Sequence, residues 1–252
     1  MGILDNRCAI VTGAGRGIGL GIARALGAAG AQIVVAEIDR EAGESATEAL
    51  VESGVDARYQ HCDVGEVSSI QRCVDETIAH HDRIDILVNN AVFNAPQTPL
   101  LDHDDDLWDA LVRVALRGTE RFMRACHPHL RVNGGRIVNL GSAAGYQGMA
   151  GFAAYAAVKE GIRALSKVAA REWGADGITV NVIAPFADSD GWRRFIKAQP
   201  QAAEQMLEGR PVPRVGDCES DVGAAVVFLS SDAASYLTGV TLPVDGGGAF
   251  LA

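Results

Sequence analysis

Tyr155 and Lys159 stand four residues apart in a stretch, Phe152–Trp173, whose apolar spacing predicts a helix. At that separation the phenol and the ammonium share one face, one turn apart. A free phenol gives up its proton only near pH ~10, too high for efficient proton exchange at neutrality. A neighbouring ammonium stabilises the phenolate and draws that value down. Ser142 lies thirteen residues before Tyr155, just past the β-branched run Arg136–Leu140. A hydroxyl at the carboxyl edge of a strand can hydrogen-bond a substrate oxygen and orient it. Taken alone, a tyrosine and lysine at this spacing are an ordinary surface pair on a helix. Their company gives them weight.

That company is Thr12-Gly13-Ala14-Gly15-Arg16-Gly17-Ile18-Gly19, which follows the first apolar run and opens the first helical pattern. Glycine permits backbone angles that a side chain forbids. The remaining glycines let a pyrophosphate approach the helix N-terminus, where free N–H groups and the dipole favour negative charge. Glu37 ends the second apolar run, where a carboxylate can accept from both adenosine ribose hydroxyls and repels a 2′-phosphate. Arg16 pulls the other way, toward a phosphate. With Glu37 nearer to where that phosphate would sit, the pair predicts NAD in preference to NADP. The bland alternative makes Glu37 a solvated strand end.

A frame must bring these groups together. Cys8–Thr12, Gln32–Ala36, Ala57–Cys62, Ile84–Val88, Arg136–Leu140, Thr179–Ile183 and a final run near Val240–Val244 read as strands. Most are apolar without alternation, as parallel strands covered on both faces are. Ile18–Ala29, Arg40–Ser53, Val67–His80, Asp105–Leu130, Phe152–Trp173 and a late stretch near Glu219–Ser230 read as helices. Strands alternating with helices predict an α/β doubly wound parallel sheet, Rossmann-like, as a single domain over residues 1–252. The rhythm breaks once, at about 185–214, a segment with four prolines and the aromatics Phe186, Trp192 and Phe195. It reads either as a lid over a substrate pocket, with Phe186 and Trp192 against the substrate, or as a surface helix pair packing on another subunit.

The formal net charge of −10 opposes a nucleic-acid partner, which needs a concentrated basic face, and offers nothing to an anionic membrane. No apolar run reaches membrane length. Five scattered cysteines without a C-x-x-C pair read as reduced, mostly buried thiols of a cytoplasmic protein, and Met1–Asn6 shows no secretory pattern. Asp102-His103-Asp104-Asp105-Asp106 precedes a long helix, where acids suit capping and the dipole better than a metal; none is expected.

With these motifs assembled, the chain resembles the short-chain dehydrogenase/reductase family nearly end to end. The likeness runs through Thr12–Gly19, Cys62-Asp63-Val64, Asn89-Asn90-Ala91, Ile137–Ser142, Tyr155 with Lys159, Asn181-Val182-Ile183-Ala184-Pro185 and Val244-Asp245-Gly246-Gly247. The resemblance implies that Ser142 positions the substrate oxygen, that Tyr155 is the general acid/base, and that Lys159 holds the nicotinamide ribose and tunes Tyr155. It further implies contacts of Asp63 and Val64 with adenine, Asn90 along the cofactor, Pro185 and Asp188 near the nicotinamide, and a homo-oligomer, tetramer or dimer. The implied activity is hydride transfer between nicotinamide and a secondary alcohol or ketone, with an apolar or ring-containing substrate suggested by the aromatics of 185–214. Three positions depart from the family pattern: Ala115 replaces an asparagine whose main-chain carbonyl serves a proton-relay water, Val92 replaces a glycine, and Phe186 replaces the glycine after Pro185. These departures motivate a second expectation, a dinucleotide-binding sensor or scaffold with attenuated catalysis.

Overall fold

The computed structural model describes residues 2–93 and 95–251. Its strands are β1 (Cys8–Thr12), β2 (Gln32–Glu37), β3 (Ala57–His61), β4 (Ile86–Asn89), β5 (Arg136–Leu140), β6 (Thr179–Pro185) and β7 (Thr241–Val244). All pair in parallel in the order β3-β2-β1-β4-β5-β6-β7. The chain winds outward from β1 to β3, then returns to β4 on the other side of β1. That reversal opens a crevice at the carboxyl ends of β1 and β4.

The helices are α1 (Gly17–Ala28), α2 (Arg40–Glu52), α3 (Val67–His81), α4 (Asp105–Leu111), α5 (Arg117–Leu130), α6 (Ala143–Tyr146), α7 (Ala153–Trp173), α8 (Asp190–Ala198), α9 (Pro200–Glu208) and α10 (Ala224–Ser230). Strand residues alternate between two cores. Ala9 and Val11 join Ile22, Leu26, Leu50 and Val226 beneath α1, α2 and α10. Cys8 and Ile10 join Ile70, Val74, Phe122 and Met123 beneath α3 and α5. Burial on both faces explains the nearly unbroken apolar runs of β1, β2 and β4, whereas the edge strand β3 is polar and largely unburied.

The long helix expected over 105–130 is interrupted. A π-helical turn, Val112–Leu116, separates α4 from α5, and a second, Cys218–Gly223, leads into α10. The first presses Ala115 and Leu111 against Ala154, Val158 and Ile162, a small third core that seats the first turns of α7. The segment 185–214 forms two short helices. The acidic run before α4 behaves as a cap, with Asp104 Oδ1 accepting from Leu107 N at 2.6 Å. Among the described residues no helix is long and apolar enough to cross a membrane.

Candidate active site

The glycine turn is built around close approach. Gly13 has φ +63° and donates its N–H to Ala36 O at 2.8 Å. A Cβ on Gly19 would lie 2.2 Å from Gly13 O and 2.6 Å from Asn90 Nδ2, so only glycine fits. From the end of β4, Asn90 Nδ2 donates to Thr12 O at 2.9 Å and Gly13 O at 3.0 Å. Thr12 Oγ1 accepts from Asn90 N and Ala91 N, both at 3.0 Å. Asn90 therefore fixes the turn. By contrast, a Cβ on Gly17 (φ +55°) would meet nothing within 4 Å, and α1 begins with no side chain capping its N–H groups. Open space before uncapped donors fits a pyrophosphate. Ile18 packs back on the first core.

Glu37 is buried, and its carboxylate turns inward: Oε2 accepts from Gly15 N at 3.1 Å, Oε1 from Ile38 N at 2.9 Å and Asp39 N at 3.1 Å. The solvated-end alternative is thereby set aside. Arg16 is paired with Asp39 at 2.7 Å. Asp63 Oδ1 accepts from Gly65 N at 2.8 Å, shaping the turn that carries buried Val64.

Ser142, Tyr155 and Lys159 converge. Ser142 caps α6, its Oγ accepting from Ala144 N at 3.2 Å. The half-buried Tyr155 phenol meets the Ser142 hydroxyl. Lys159 is buried, and its Nζ donates to Leu140 O at 2.7 Å. Burial pushes the Lys159 ammonium down to about 8. The expectation for Tyr155 needs correcting: burial raises its phenol above the ordinary value, and only the contact with Ser142 opposes this. The ammonium lies 5.6 Å from the ring centroid, committed to the Leu140 carbonyl. Desolvation outweighs the hydrogen bond here.

Ala115 is buried within the π-helical turn, so the turn forms without the family asparagine. Pro185 ends β6 on the crevice side. The Asp188 carboxylate is held by Arg193 through two bonds of 2.9 Å, which pull its pKa down. Phe186 and Trp192 touch edge to face, ring centroids 4.7 Å apart, and Trp192 is buried. Sequence reasoning missed the bracket made by Thr12, though the residue lies within the quoted motif. It also missed Arg193 and Arg210, for which spacing gives no signal.

A crevice of this kind suits exchange of a hydride between a dinucleotide and a carbon bearing oxygen, with a proton passing to or from the phenol. It defines the class: nicotinamide-dependent oxidoreductases acting on CH–OH or C=O groups. Comparison with known proteins agrees. The family model described as enoyl-(acyl carrier protein) reductase matches residues 13–248. The chain is 39% identical to the 12alpha-hydroxysteroid dehydrogenase of a Clostridium species, covering 98% of each chain. It is 35% identical to a 3-oxoacyl-(acyl-carrier-protein) reductase of Chlamydia trachomatis serovar D, again over 98% of each. The structure of NAD+-bound xylitol dehydrogenase superposes with a TM-score of 0.91 at 32% identity, covering 97% of this chain and 99% of that one. The chain belongs to the short-chain dehydrogenase/reductase family.

The buried ammonium has a consequence for stability. Between pH about 8 and 10.5 the unfolded chain holds the Lys159 proton and the folded chain releases it, so this group makes stability rise with pH across that window. Lys159→Met removes the titration. Wild-type unfolding free energy is expected to gain on that of Lys159→Met by on the order of 3 kcal/mol across the window. Urea titrations of both proteins at several pH values check this, and curves that stay parallel would contradict the burial described.

Proposed function

We propose that the chain is an NAD(H)-dependent dehydrogenase that interconverts an apolar, ring-containing secondary alcohol and its ketone. The observation that carries this reading is the Tyr155 phenol against the Ser142 hydroxyl, with the Lys159 ammonium buried behind them. In this reading Ser142 Oγ holds the substrate oxygen. Tyr155 takes the proton during oxidation and returns it during reduction. Lys159 holds the nicotinamide ribose. Bound NAD supplies the hydride acceptor. Gly13, Gly17, Ile18 and Gly19 line the pyrophosphate, Glu37 the adenosine ribose, Asp63 and Val64 the adenine, and Asn90 and Pro185 the nicotinamide half. Asp188, tied to Arg193, serves the structure of its own segment.

Residues 185–214 are proposed as the lid, with Phe186 and Trp192 facing the substrate. Their aromatic surface supports an apolar ring, and the name of the hydroxysteroid dehydrogenase relative supports the same class. The preference for NAD is supported by Glu37 and by the pairing of Arg16 with Asp39, which leaves a 2′-phosphate facing a carboxylate. The xylitol dehydrogenase structure is described as NAD+-bound.

With NAD and a panel of cyclic secondary alcohols, absorbance of reduced nicotinamide should grow. Tyr155→Phe should lower kcat by about 10²–10⁴-fold. Because burial raises the phenol, and oxidation needs the phenolate, oxidation should accelerate as pH rises while reduction slows. Tight NADH binding with no turnover across the panel, indifferent to Tyr155→Phe, would favour the sensor instead.

For the cofactor, kcat/KM with NAD should exceed that with NADP by roughly 100-fold, and Glu37→Ser should narrow the gap at least tenfold. Equal use of both cofactors by the wild type would overturn the assignment to NAD.

A homo-oligomer is also proposed. Strand β7 is the sheet edge and its residues are half-exposed, while Phe228, Tyr236, Leu237 and Phe250 are exposed nearby in sequence. Light scattering at micromolar concentration should give a dimer or tetramer mass; a monomer mass would refute it.

A further inference from the structure

The segment proposed as a lid is lightly attached. In α8 the one buried side chain is Trp192, and in α9 it is Ala203. Helices with so few buried contacts open at low cost unless something else fastens them. Trp192 is stacked: its ring meets Phe186 at 4.7 Å on one side and Phe195 at 5.6 Å on another.

The Phe186 ring carries a second load. The Arg210 guanidinium, just beyond α9, lies over it with its carbon 3.6 Å from the ring centroid. Arg210 is itself anchored to the body. Its Nη1 donates to the Asp245 main-chain carbonyl and lies 3.9 Å from the Asp245 carboxylate, with both side chains nearly fully buried. The chain after β7 is shaped around the guanidinium: Gly246 and Gly247 have φ +67° and +78°, and a Cβ on Gly248 would collide with the Arg210 guanidinium. The Phe186 main chain is fixed as well, its N–H donating to Val244 O at 2.9 Å. A continuous stack therefore runs from Asp245 through Arg210, Phe186 and Trp192 to Phe195. It joins both ends of the 185–214 segment and α8 to the end of β7.

A cation over an aromatic face makes a stronger contact where it is withdrawn from water, as the Arg210 side chain largely is. Lysine does not replace arginine in such a place, since the contact uses a flat guanidinium and its fixed fork of donors.

We infer that Arg210 is a positioning residue: it latches the lid and sets the Phe186 ring, and through Phe186 and Trp192 it governs substrate affinity and not the hydride step. This rests on the reading of 185–214 as the substrate lid.

The experiment compares wild type, Arg210→Met, Arg210→Lys and Phe186→Leu in the full chain. Three readouts are used: trypsin cleavage after the exposed Arg193, Arg194 and Lys197 of α8, tryptophan emission with Trp192→Phe used to assign the Trp192 signal, and steady-state kinetics on the best cyclic alcohol. In all three latch variants cleavage within α8 is expected to speed up by about tenfold. Trp192 emission should shift to the red, and KM should rise by about tenfold while kcat changes several-fold less. Phe186→Leu keeps an apolar residue on the body and so tests the latch even if the arginine variants fold poorly. Wild-type cleavage rates and emission in Phe186→Leu, or full rescue by Arg210→Lys, would overturn the inference. Faster cleavage and shifted emission in a protein that oxidises no alcohol would uphold the latch and refute the function proposed above. Turnover with unchanged cleavage and KM would do the reverse.

Discussion

The Lys159 ammonium and the Leu140 carbonyl meet inside the protein at 2.7 Å, and the geometry of the crevice follows from that contact. Leu140 is the last residue of β5 and precedes Ser142 by two positions; Lys159 lies one turn along α7 from Tyr155. One bond thus ties the strand that presents the hydroxyl to the helix that presents the phenol. A buried charge is costly unless it is hydrogen-bonded, so α7 cannot slide along β5 without stranding the ammonium. The third core, with Leu111 and Ala115 against Val158 and Ile162, presses α7 into that register from the other side.

The frame was legible because its signals are local and repeated. Apolar runs between helical patterns marked all seven strands, with ends moved by a residue or two, such as β6 continuing to Pro185. The glycine turn was legible because a residue type reports a backbone constraint, as Gly13 and Gly19 show. The π-helical turn at Val112–Leu116 was not, since Leu111, Val112, Val114, Ala115 and Leu116 are apolar almost without a break and so show no shift of helical phase. The direction of the Tyr155 shift was hidden for a different reason: spacing places an ammonium nearby but says nothing about how deeply the phenol is buried or which carbonyl claims the ammonium. Likewise the pairing of Asp188 with Arg193 is decided by the turn of α8, which composition does not encode.

The three departures from the family pattern differ in weight once placed. At Ala115 the π-helical turn persists and the methyl group is absorbed into the third core. Val92 remains partly exposed beside the crevice. Phe186 is the most consequential, because its ring is built into packing that a glycine at the same position would leave empty.

The space beside Gly13 bears on how such a chain can drift. The Asn90 amide occupies the place that a side chain at position 19 would need, and it does so by binding the carbonyl of position 13. A change at any one of the three alters what the other two can tolerate, so their effects should not add. Residues far apart along the chain are thereby constrained as a single packing unit at the mouth of the crevice.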